Sequence, residues 1–124
     1  MTVVYDTGSD WLTIEGRDCH VCGGNLFDQH KSNTFQFLER TQSTNLEYGS
    51  AMLKGLRASD RVCLPVSNDL KGSEPGVCLP NFEFFLISEQ TGLTDRLDGV
   101  LGLSRSQLPE EYGKDWRGIG PIYV

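Results

Sequence analysis

An all-β fold is what this sequence predicts, on three observations. Fourteen glycines accompany many Val, Thr, Phe and Tyr residues, the composition of short strands joined by tight turns. Asn81-Phe82-Glu83-Phe84-Phe85-Leu86-Ile87 is the strongest strand signal, with Phe82, Phe84 and Leu86 directed to one side and Phe85 and Ile87 to the other. Leu46 to Gly55 reads as a hairpin with Tyr48-Gly49-Ser50 near its tip. The 124 residues suffice for one domain with a modest core, and 38% hydrophobic content argues against disorder. A net charge of −6 disfavours nucleic acid as a partner, and no apolar run approaches membrane-spanning length. Met1-Thr2 leads straight into the first strand without a signal peptide, so the sequence as written is expected to lack its natural beginning.

Val3, Val4 and Tyr5 are β-formers that run into Asp6. Thr7-Gly8-Ser9 breaks the pattern with a hydroxyl-rich loop. Gly8 is expected to allow a turn that a Cβ would resist, and Thr7 and Ser9 can bond neighbouring groups. Trp11 to Ile14 returns to strand-like composition, so a carboxylate is held at a strand end on a short stiff loop. Taken alone, Asp6 is equally an ordinary turn aspartate. Glu15 to Ser32 reads as a surface loop, with His20 and His30 as solvated residues lacking evident partners. Phe35 to Leu38 begins another extended piece, and Leu56 to Leu64 continues the hairpin strand with Asp60, Val62 and Leu64 on one face. Pro65 to Pro80 is a turn-rich excursion. Leu97-Asp98-Gly99-Val100-Leu101-Gly102-Leu103-Ser104 is a short apolar strand flanked by glycines, and Gln107 to Tyr112 can form one helical turn.

Four cysteines, Cys19, Cys22, Cys63 and Cys78, can pair in three ways. An even number in a small β-domain points to disulfides and an oxidising compartment. Cys19–Cys22 and Cys63–Cys78 are the pairs that close local loops. The second closes about 15 residues, worth roughly 3 kcal/mol in chain entropy. Cys19-His20-Val21-Cys22 also has redox C-x-x-C spacing, but Gly23-Gly24-Asn25 follows where that motif needs a helix. A zinc site there lacks a second closely spaced pair of ligands.

Asp6-Thr7-Gly8-Ser9 after an apolar strand resembles the active-site loop of pepsin-like aspartic proteases. Two later segments extend the resemblance in the family's order. Tyr48-Gly49-Ser50, closed by Gly55, resembles the flap hairpin that covers substrate, with Ala51 where the family usually has glycine. Asp98 to Leu103 resembles the segment that lies under the catalytic loop, with Val100, Leu101 and Gly102 in that place. Phe27 to Phe35, with Ser32-Asn33-Thr34, is similar to a segment at the same position. The resemblance runs from Val3 to about Ser106, and its wording is closer to protozoan members, those of ciliates above all, than to vertebrate pepsins.

The resemblance implies the N-terminal lobe of the bilobal pepsin-like acid protease fold, with 1–124 as a partial lobe and the C-terminal lobe missing. It implies peptide-bond hydrolysis by a water activated between two aspartates, one of them Asp6, with no cofactor and no metal. Thr7 would lock the two catalytic loops together, Ser9 would orient Asp6, and Tyr48 would cover a bound peptide or protein substrate. Location would be secreted, vacuolar or lysosomal. Asp60, Asp95 and Asp98 are not followed by Thr/Ser-Gly, so no second catalytic loop is present. The chain is then a fragment, a single lobe that dimerises to bring two copies of Asp6 together, or a catalytically silent peptide-binding domain.

Overall fold

The computed structural model describes residues 1–38, 43–48, 50–64, 76–93 and 97–104, the Tyr48 side chain excepted. The helical turn expected at Gln107–Tyr112, the 65–75 part of the turn-rich excursion, and Gly49 lie outside these residues. Seven strands are present among those described: β1 (Val3–Asp6), β2 (Leu12–Glu15), β3 (Gln36–Phe37), β4 (Thr44–Tyr48), β5 (Ala51–Leu64), β6 (Val77–Thr91) and β7 (Gly99–Gly102). They form one mixed sheet in the order β1-β7-β2-β6-β5-β3, with β4 paired to β5. The fold is all-β, in keeping with a pepsin-like lobe.

The long ribbon of β5 and β6 is the frame. Alternation along β6 places Phe82, Phe84 and Leu86 in one buried cluster with Leu12, Ile14, Ala58 and Leu101. Phe85 and Ile87 enter a second cluster with Cys19 and Leu53 on the opposite face. A strand buried on both sides therefore serves two cores. Phe35 meets Phe37 edge-on at 4.8 Å, and Phe27 meets Phe84 edge-on at 6.0 Å, closing the first core.

Two expectations change. The strand expected to start at Asn81 starts at Val77, and Pro80 lies within it. Register shifts between Asp60 and Val62, and Asn81 takes a left-handed φ of 54°, so Pro80 sits at a bulge, where no ladder donor is needed. Along the expected face of Asp60, Val62 and Leu64, burial falls off past the bulge: Asp60 is buried, Val62 half-buried and Leu64 exposed. Finally, the segment from Glu15 onward is no plain surface loop. Glu15, Cys19 and Gln29 are buried, and Glu15 Oε2 accepts from the Gly24 amide at 2.9 Å.

Candidate active site

Asp6 ends β1, which runs parallel to β7 with Asp6 opposite Gly102. β7 is also antiparallel to β2, Leu12 facing Leu101, so one short strand is wedged between the chain entering the Asp6 loop and the chain leaving it. Three successive amides from the end of β7 then hold that loop. Gly102 donates to the Trp11 carbonyl at 2.8 Å, Leu103 to the Asp6 carbonyl at 2.7 Å, and Ser104 to the Ser9 carbonyl at 2.9 Å. Gly102 is a glycine for a steric reason. A Cβ there would stand 2.6 Å from both the Ser9 carbonyl oxygen and the Trp11 nitrogen. The tight approach is thus to Ser9–Trp11 rather than to the Asp6-Thr7-Gly8 stretch.

The carboxyl of Asp6 is partly exposed, and its Oδ1 accepts from the Gly8 amide at 2.9 Å. The neighbouring Ser9 side chain, then the Gly8 amide, hold it below the usual carboxylate range, against a smaller opposing effect of burial. Ser9 Oγ itself is buried, without a hydrogen bond of regular geometry among the described residues. Thr7 is exposed beside it. Gly8 does not use a left-handed backbone; a Cβ there would lie 3.3 Å from Asp6 Oδ1. Trp11, at the exit of the loop, is half-buried against the second core, with the Arg57 guanidinium 6.0 Å from its ring centroid.

The start of β7 is fixed by a group that sequence reasoning passed over. Asp98, noted only as part of a motif, is 2% exposed. It accepts from the amides of Thr2 at 2.5 Å and Asn25 at 2.6 Å, and from Asn25 Nδ2 at 3.2 Å. Burial pushes its carboxyl up, and these donors together outweigh burial and hold it down. Asp98 so ties the start of β1, the Asn25 loop and β7 into one unit. Its polarity immediately before a glycine-flanked apolar strand was the available signal, because a charged residue there needs a buried partner set.

The hairpin expected from Leu46 to Gly55 is β4 paired with β5, Tyr48 opposite Ala51. The Tyr48 side chain and Gly49 lie outside the described residues, and Ser50 is exposed at the turn. Ala51 is buried, its Cα at 3.0 Å from where a Cβ on Gly92 would lie, so the alanine packs under the turn of Gly92. Gly55 passes so close to β6 that a Cβ would collide with the Leu86 carbonyl. Cys19 is joined to Cys22, and Cys63 to Cys78. His20 and His30 are exposed. No helix among the described residues is long and apolar enough to cross a membrane.

The family model described as eukaryotic aspartyl protease matches residues 1–115. Chymosin of Callithrix jacchus is 33% identical over 120 residues, covering 90% of this chain and 28% of that protein. Cathepsin D of Canis lupus familiaris is 29% identical over 113 residues, covering 86% and 27% respectively. Cathepsin D of Homo sapiens is 29% identical over 114 residues, covering 86% and 28%. The chain thus spans little more than a quarter of the length of these curated relatives.

Proposed function

The chain belongs to the eukaryotic aspartyl protease family, and from that premise we propose that residues 1–124 form part of the N-terminal lobe of a two-lobed aspartic endopeptidase. In this reading the chain supplies one of two catalytic aspartates, Asp6, and a C-terminal lobe supplies the other. The observation that carries the reading is a carboxylate left open to solvent on a loop gripped by three consecutive amides. A merely structural turn aspartate does not require so much non-local scaffolding.

Hydrolysis needs one carboxylate to take a proton from water and another, protonated, to polarise the scissile carbonyl. Two such groups about 3 Å apart cannot both ionise, so the pair holds a single proton under acidic conditions. The environment of Asp6 favours its charged form, which suits it to the proton-accepting role. Thr7, on the exposed side of the loop, would meet the partner lobe, and Ser9 would keep the Asp6 carboxyl oriented. Tyr48, Gly49 and Ser50 would close over a peptide or protein substrate and exclude water. Val100, Leu101 and Gly102 form the floor. Water is the nucleophile, with no covalent intermediate. The two disulfides fit a secreted, vacuolar or lysosomal setting.

The experiment is turnover of an acid-protease peptide by the chain shown to be monomeric by size-exclusion chromatography. No cleavage is expected, because a lone Asp6 cannot fill both roles, and activity should appear once the chain is expressed joined to a second lobe carrying its own Asp-Thr/Ser-Gly loop. Cleavage by the monomer contradicts the two-aspartate assignment.

A further inference from the structure

The two disulfides occupy unlike surroundings. Cys19 is 1% exposed and packs with Leu53, Phe85 and Ile87, so the Cys19–Cys22 bridge is part of a core. Cys63 is exposed and Cys78 half-buried, and they face each other across β5 and β6 beyond the Asp60/Val62 bulge. The exposed Arg61 brings Nη2 to 3.4 Å from Cys78 Sγ. A guanidinium beside a sulfur stabilises that sulfur as thiolate and makes it the better leaving group.

We propose that Cys63–Cys78 is a redox-sensitive clip, opened by external dithiols while Cys19–Cys22 stays closed. A thiolate of the dithiol attacks the exposed Cys63 Sγ. The S–S bond breaks, its electron pair leaves on Cys78 beside Arg61, and a mixed disulfide forms at Cys63. The second thiolate of the same reagent then attacks the mixed disulfide and releases Cys63 as thiolate. The dithiol ends as its cyclic disulfide, and the protein has gained two electrons.

Opening the clip has a structural consequence. Val62, Cys63 and Leu64 form one wall of a cavity of about 420 Å³ that Met1, Val3 and Tyr5 line on another side. Tyr5 immediately precedes Asp6. Reduction therefore removes the covalent tie in that wall while the β-ladder pairing of Cys63 with Cys78 and Leu64 with Val77 holds it in the sheet.

The test is graded dithiothreitol treatment of the folded chain, followed by alkylation and peptide mass spectrometry, with far-ultraviolet circular dichroism on the same samples. Cys63 and Cys78 should be labelled before Cys19 and Cys22, with the β-sheet spectrum retained and the same bridge restored on reoxidation. Arg61→Gln should slow opening of Cys63–Cys78 roughly threefold or more at low salt and leave Cys19–Cys22 unchanged, whereas Arg61→Lys should keep most of the rate. Simultaneous or reversed opening of the bridges overturns the proposal, as does loss of the sheet on reduction. An Arg61→Gln rate equal to wild type overturns it as well.

Discussion

The β5–β6 ribbon and the β1–β7–β2 junction are built on different principles. The ribbon has strands of 14 and 15 residues, paired antiparallel and carrying most of the buried side chains of both cores. The junction has three strands of four residues each, joined partly in parallel and drawn from opposite ends of the described sequence. Burial holds the ribbon together. The junction lends Leu12, Ile14 and Leu101 to the first core and adds directed polar contacts: the Asp98 acceptors, the amides of Gly102 to Ser104, and glycines that let backbones touch. The carboxylate proposed for catalysis thus stands on the part where directed polar contacts are added to burial.

Phe85→Ala should break the ribbon most severely. Removing a ring that is 1% exposed is expected to cost about 3–5 kcal/mol, read as a fall in the urea midpoint at unchanged slope. A loss below about 1 kcal/mol would show that burial in the second core does not hold the ribbon.

Gly102→Ala strikes the junction instead. The new methyl must displace backbone atoms of Ser9 and Trp11, with an expected cost of about 1–3 kcal/mol. It should also bring the Asp6 titration back toward its ordinary range, as the loop holding the Gly8 amide and Ser9 shifts. Carbon-detected NMR titration of the Asp6 carboxyl checks this, and an unmoved titration would separate the loop from its floor.

Asp98→Asn sharpens the comparison further. Near neutral pH the loss of charge-assisted acceptance at Thr2 and Asn25 should cost about 1–3 kcal/mol. The sign with pH follows from a folded-state carboxyl held below the ordinary aspartate value. Its contribution is fully present above that ordinary value and is lost as pH falls through the folded pKa. Wild type and variant should therefore converge in strong acid, in chemical denaturation followed across the acidic range. A difference constant with pH would mean that packing, rather than the charge of Asp98, is responsible.

The same contrast governs what could be read from the residues. The alternation of Phe82 to Ile87 announces a strand buried on both faces, because a period of two is a local property. Pro80 misleads for an equally local reason: proline reads as a strand end unless a bulge excuses its missing donor, and the bulge is created by the partner strand. At the junction nothing local distinguishes Asp6 from a turn aspartate. Its surroundings come from residues more than ninety positions away, and only resemblance to a family carries that information ahead of the coordinates. Asp98 shows the limit of that route. A motif match marks its position and leaves its hydrogen bonds to Thr2 and Asn25 unstated.

The assignment of Asp6 is tested most directly by Asp6→Asn within the two-lobed enzyme. Turnover of an acid-protease peptide should fall about a thousandfold or more, while urea denaturation shows stability within about 0.5 kcal/mol of wild type, since the carboxyl is partly exposed. A folded Asp6→Asn variant that keeps activity within about tenfold of the parent would contradict it.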